Sequence, residues 1–137
     1  MLGQIQFDPK QAANQLLYLV ETVLKQFEQN DASISKYDSE RGDLDHIVEL
    51  TSYNAAEGYQ LVRKIRENRR KRRICKDENH AMKTLYEYIK RNEGLLRDLR
   101  AIVKATEKQV AFLDSRQYHP RTGVITANEF EQKRVRS

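Results

Sequence analysis

Hydrophobic residues recur at steps of three and four over most of the chain, the spacing of an amphipathic helix. Between Pro9 and Pro120 there is no other proline, and glycine occurs only at positions 42, 58 and 94. Long segments without chain breakers favour helix. We therefore predict an all-α protein, a helical hairpin or bundle with a long central coiled-coil-like helix and an irregular C-terminal tail.

The first predicted helix covers about residues 9–29. Asp8 is suited to cap its free amides, and Pro9 is suited to the first helical position. An apolar stripe then runs from Ala12 to Phe27. The polar sequence Asn-Asp-Ala-Ser at 30–33 predicts the end of this helix and a reversal of the chain.

A second helix is predicted over about residues 34–92, with a heptad-like apolar seam that begins at Ile34. The seam is interrupted across residues 69–73 and resumes at Ala81 with its register displaced by two residues. This displacement leaves two alternatives, a sharp turn at 76–79 or one uninterrupted helix. The absence of glycine and proline from 59 to 93 favours the uninterrupted helix.

A third helix is predicted over about residues 95–114, after a bend near Gly94. Together the three helices form a predicted helical domain over residues 1–115, followed by an extended basic tail over 116–137 with a possible short terminal helix. A first helix of about twenty residues leaves part of the long seam uncovered. We therefore expect a homo-oligomer.

Charge changes this picture because it is concentrated in one segment. The 137 residues carry a net charge of +5. Residues 63–76, hereafter the basic segment, contain nine basic residues and one acid, whereas residues 1–62 contain four basic residues and ten acids. The high isoelectric point, about 9.3, is therefore a local property.

The basic segment is the strongest candidate binding site. Arginine outnumbers lysine in it six to three, which suits planar, bidentate contacts with phosphate or carboxylate. Nucleic acid, DNA or RNA, is the first candidate partner, and an acidic protein surface is the second. Charge matching with the acidic first half, within the chain or across an oligomer, is the structural alternative. The candidate contact residues are Arg63, Lys64, Arg66, Arg69, Arg70, Lys71, Arg72, Arg73 and Lys76.

The tail supplies a weaker basic group. Its candidate secondary contacts are Arg116, Arg121, Lys133 and Arg134. In the functional interpretation the tail is a flexible basic arm that adds phosphate contacts or docks on a partner. In the alternative it is a basic terminus without a role.

No residue pattern predicts catalysis, a cofactor or a metal. Asp43 with His46, and Asp77 with His80, have the i, i+3 spacing of some metal ligands, but both pairs lie in charge-rich stretches. The single Cys75 excludes an internal disulfide framework. No apolar run approaches the roughly 18 residues of a membrane span. We therefore expect a cytoplasmic, non-enzymatic protein without membrane contact.

Three features occur together in residues 40–115: a Tyr-Asn-x-x-Glu-Gly-Tyr sequence at 53–59, the Arg-Arg-Lys-Arg-Arg run at 69–73, and a coiled-coil-like continuation. In this combination the chain resembles the small coil-containing proteins of phages and prophages of Gram-positive bacteria. The resemblance implies a bacterial cytoplasm and work done by binding host or phage components. The expected functions are a nucleic-acid-binding regulatory or accessory protein, a protein-directed inhibitor or adaptor, or a coiled-coil scaffold.

Overall fold

The computed structural model describes residues 7–117 and 121–123. This part of the chain forms three helices: α1 (Pro9–Leu50), α2 (Ala55–Arg91) and α3 (Leu95–Ser115). They contain 42, 37 and 21 residues. The all-α prediction is confirmed.

Helix α1 begins where the sequence predicts. The side chain of Asp8 accepts a hydrogen bond from the backbone N–H of Gln11 at 3.1 Å, so it is the expected cap. The predicted end at residue 29 is wrong, however, because α1 continues through 30–33 to Leu50. The predicted second helix over 34–92 is wrong for the same reason, since its first part belongs to α1.

The chain reverses at residues 51–54, which the sequence analysis had placed inside a helix. Asn54 caps α2, because its Oδ1 accepts a hydrogen bond from the backbone N–H of Glu57 at 2.8 Å. Tyr53 folds back over Gly58, where an added Cβ would lie 3.3 Å from its ring carbons. The absence of a side chain at Gly58 therefore gives this ring its place at the turn.

Helix α2 ends at Arg91, where the side-chain amide of Asn92 donates a hydrogen bond to the Tyr88 carbonyl at 2.7 Å. The backbone N–H of Asp98 bonds to the Gly94 carbonyl and opens α3. The observed range of α3 differs by one residue from the predicted 95–114. The predicted tail lies largely outside the described residues.

Backbone contacts divide the chain into two compact units. One comprises the described residues within 1–19 and 94–137, and in it Leu99 and Val103 are the buried apolar residues of α3. These two positions are four residues apart and therefore share one face of the helix. The other unit comprises residues 20–93 and is a hairpin of α1 and α2. It contains the whole basic segment.

The hairpin is antiparallel, as three contacts along it show. Phe27 stacks on Tyr86 with ring centroids 3.8 Å apart, Asn30 bonds to Asn79, and Asn68 bonds to the Tyr37 carbonyl. The two helices therefore run side by side in opposite directions over most of their length.

The inward positions of α2 recur at strictly alternating steps of three and four. Each is buried or half-buried, and the seam passes through the basic segment without a break. The predicted displacement of the register is therefore wrong, because it placed the exposed Val62, Leu85 and Tyr88 on the inward face. The seam consists of Gly58, Leu61, Ile65, Asn68, Arg72, Cys75, Asn79, Met82, Tyr86 and Ile89.

Asparagine amides hold the middle of the hairpin. Asn30 Nδ2 donates to Asn79 Oδ1 at 2.9 Å and to Glu78 Oε1 at 3.1 Å. Asn79 Nδ2 donates in return to the Phe27 carbonyl at 3.2 Å and to Asp31 Oδ1 at 3.0 Å. Buried amides of this kind are costly unless bonded, so they favour the one register in which they meet.

Candidate functional site: the basic face of helix α2

All nine candidate residues of the basic segment lie in α2, which is continuous from Ala55 to Arg91. The alternative of a sharp turn at 76–79 is therefore wrong, because α2 continues through these residues without a break. Because successive residues of a helix are rotated by about 100°, the nine side chains point in different directions. The structure sorts them into inward, outward and flanking groups.

Two arginines point toward α1, and we call Arg69 and Arg72 the inward arginines. Both are half-buried, and both contact the carboxylate of Asp38. The Arg72 Nε lies 2.7 Å from Asp38 Oδ1, and the Arg69 guanidinium lies 3.4 Å from the same oxygen. Part of the basic segment is therefore neutralised by the acidic first half of the same chain.

These contacts act on the pKa of Asp38. Partial loss of its water shell raises the pKa, but the hydrogen bonds and positive charges of Arg72 and Arg69 outweigh that effect and lower the pKa below its ordinary value of 3.8. The carboxylate is therefore ionised at neutral pH, as the ion pairs require.

Asn68 fixes the orientation of Arg69. Its Nδ2 donates to the Tyr37 carbonyl at 2.9 Å and to Glu40 Oε2 at 3.3 Å, so its Oδ1 is left to accept. That oxygen accepts two hydrogen bonds from Arg69, at 3.0 Å and 2.7 Å. This role of Asn68 was not predicted from the sequence, because it follows only from a polar residue at an inward position of the seam.

Four arginines point away from α1, and we call Arg63, Arg66, Arg70 and Arg73 the outward arginines. They are spaced by three, four and three residues, so they follow one face of the helix over about 15 Å. All four are exposed, and none forms an ion pair with a described residue. This face is a row of guanidinium groups with no carboxylate in ion-pair contact among the described residues.

The three lysines lie on the flanks of the helix and are exposed. Lys64 and Lys71 line a shallow groove between the helices together with Glu40, Asp43 and Glu67. This mixture of charges makes the groove a weaker site for an anion than the outward face. Lys76 lies on the other side of α2 and forms no ion pair within the described part of the chain.

The tail residues are placed only in part. Arg116 caps the end of α3 and is half-buried, and Arg121 is exposed. Lys133 and Arg134 lie outside the described residues. The tail contacts therefore stay a prediction.

Side chains that could bind a metal ion lie apart in residues 7–117 and 121–123. No group of three or more histidine, cysteine, aspartate or glutamate side chains in this range is arranged to hold a metal ion. Cys75 is half-buried on the inward side of α2. Within the same range, no helix has both the length and the apolar character needed to cross a bilayer.

Comparisons with known proteins add nothing to this geometry. No protein-family model, no curated protein and no solved structure matches the chain. The resemblance to phage and prophage proteins therefore stays an expectation, and any function rests on the chemistry of α2.

Proposed function

We propose that this protein is a non-enzymatic nucleic-acid-binding protein that contacts phosphates through the outward arginines of α2. The observation that carries the proposal is the row formed by Arg63, Arg66, Arg70 and Arg73, exposed and without ion pairs among the described residues. A guanidinium group binds phosphate with two parallel hydrogen bonds, and binding releases the counterions of the nucleic acid.

The energetics of the helix support an anionic ligand. Arg66 and Arg70 are four residues apart, as are Arg69 and Arg73, and like charges at this spacing destabilise an isolated helix. The Asp38 carboxylate relieves this repulsion for the inward arginines but not for the outward ones. A row of phosphates would provide the missing negative charge on the outward face.

We further propose that the α1–α2 hairpin is an antiparallel coiled coil that holds this face rigid. The support is the alternating spacing of the inward positions and the mutual bonds of Asn30 and Asn79. Self-association stays a prediction. Its original reason, a first helix of twenty residues, no longer holds because α1 has 42 residues.

The experiment compares variants that each remove two positive charges. R66Q/R70Q removes two outward arginines, and K104Q/K108Q removes two exposed lysines of α3 as the matched control. Dissociation constants for labelled DNA and RNA oligonucleotides are measured by fluorescence anisotropy at several salt concentrations. Four phosphate contacts on a duplex predict a slope of log K against log salt of about −3.6.

We expect R66Q/R70Q to weaken binding and to reduce the magnitude of the slope by about 2, whereas K104Q/K108Q leaves the slope unchanged. The proposal is wrong if the wild-type protein does not bind at low salt, or if both variants lose the same affinity. Retention of one acidic protein after nuclease treatment, together with absent oligonucleotide binding, would favour the inhibitor or adaptor function instead.

A further inference from the structure

The first turns of α2 carry an exposed tyrosine in line with the outward arginines. Tyr59 lies four residues before Arg63, so the face reads Tyr59, Arg63, Arg66, Arg70, Arg73 at alternating steps of four and three. Its side chain is 64% exposed. An aromatic ring and a row of arginines therefore share one helix face over about 21 Å.

The ring of Tyr59 is not used within the described structure. Its neighbour in the turn, Tyr53, is packed against Gly58, and Tyr86 is stacked on Phe27. Among the described residues, Tyr59 has neither a stacked ring nor a cation over it. Both its exposure and its free π-face make it available to a ligand.

A free ring in line with the outward arginines distinguishes single-stranded from duplex nucleic acid. In a duplex the bases are stacked on each other, so their edges and the phosphates are accessible to a helix but their faces are not. In a single strand the bases are free to stack on an aromatic ring while the backbone follows the positive charges. A single strand therefore contacts both the ring and the arginines of the face, whereas a duplex contacts the arginines alone.

We infer that the face formed by Tyr59 and the outward arginines binds single-stranded nucleic acid, with one base stacked on the Tyr59 ring and the adjoining phosphates on Arg63, Arg66, Arg70 and Arg73. This inference rests on the proposed nucleic-acid function and specifies its ligand. Recognition is independent of base sequence, because every base has a π-face.

The test uses the full chain and four probes: a 20-nucleotide oligo(dT), a 20-nucleotide oligo(rU), and a DNA and an RNA duplex of 20 base pairs. Three variants are compared with the wild type. Y59A removes the ring, Y59F keeps it, and Y88A removes a ring that is 54% exposed on the same helix, about 22 Å beyond Arg73. Circular dichroism at 222 nm verifies that each variant keeps its helix content.

The wild type is expected to bind both single strands more tightly than either duplex. Y59A is expected to weaken single-strand binding at least fivefold, the equivalent of losing one stacked base, and to leave duplex binding within twofold. Y59F and Y88A are expected to match the wild type. A difference between oligo(dT) and oligo(rU) would identify which kind of single strand the face prefers.

Two results would overturn the inference while leaving the proposed function intact. One is duplex binding that equals or exceeds single-strand binding and has the salt dependence described above. The other is single-strand binding that Y59A does not change. Should Y59A lose helix content, Tyr59→Leu replaces it, because leucine keeps the apolar bulk and removes the π-face. Absence of binding to all four probes by the wild type would refute the proposed function itself.

Discussion

The paired asparagines of the hairpin allow a quantitative prediction about stability. Replacing Asn79 by alanine removes three hydrogen bonds between the helices, one accepted from Asn30 and two donated to the Phe27 carbonyl and Asp31. At about 1 kcal/mol net for each bond, the expected loss in the free energy of unfolding is about 3 kcal/mol. That is a large fraction of the stability of a small domain.

The double variant N30L/N79L distinguishes the loss of hydrogen bonds from the cost of a buried amide that lacks a bond. Each single substitution leaves the other buried amide with one hydrogen bond fewer, whereas the double substitution removes both amides and places apolar groups of similar shape in the seam. We therefore expect N30L/N79L to be at least as stable as the wild type. The two substitutions should then differ from additivity by more than 1 kcal/mol.

Urea denaturation followed by circular dichroism at 222 nm measures both effects. A loss of about 3 kcal/mol lowers the urea midpoint by roughly 1 to 3 M. If N79A shifts the midpoint by less than 0.3 M, or if the double variant loses the sum of the two single losses, the amide pair does not stabilise the hairpin as described. A change in the oligomeric state of N30L/N79L would indicate that α1 and α2 no longer pair in a single register. The asparagine pair would then also specify how the two helices are aligned.

Three further predictions concern contacts of the same hairpin. Because the pKa of Asp38 is lowered in the folded protein, its ion pairs stabilise the fold above pH 3.8, and this stability is lost as the pH falls through the lower pKa of the folded state. Urea midpoints of the wild type and D38N should therefore differ at pH 7 and converge once the pH lies below the folded-state pKa. Tyr86→Leu removes the stack on Phe27 and should cost about 1 kcal/mol in the same assay, whereas Tyr86→Phe should cost less than half of that. Gly58→Ala should raise the thermal midpoint more in a Tyr53→Ala background than in the wild type, because the new methyl group then meets no ring. Equal gains in the two backgrounds would contradict the packing at the turn.

The position of the chain reversal shows where sequence reasoning fails and why. The polar residues at 30–33 resemble a connection, yet Asn30 is helical because Asn79 and Glu78 satisfy its amide from the opposite helix. The true turn at 51–54 carried a usable local signal. Asn54 with Glu57 three residues later has the spacing of a helix start, and the structure shows the expected cap.

The candidate site likewise has features that the sequence predicts and features that only the structure shows. The basic segment is visible in the sequence as a concentration of charge, but the sequence places its nine basic residues in one group. Only the position of Asp38 on α1 separates the inward arginines from the outward ones. The alignment of Tyr59 with the outward arginines likewise depends on the register of α2, which the sequence pattern predicted wrongly.

The sequence by itself determined the helical class, the start of α1, the range of α3 and the location of the basic segment. These properties depend on composition, on local capping and on periodicity, all of which act within one or two turns of a helix. The tertiary structure alone decided that α1 continues through residues 30–33, which register the seam follows and which arginines are free. Each of these depends on a partner about 30 to 50 residues away along the chain, such as Asn79 for Asn30 or Asp38 for Arg72.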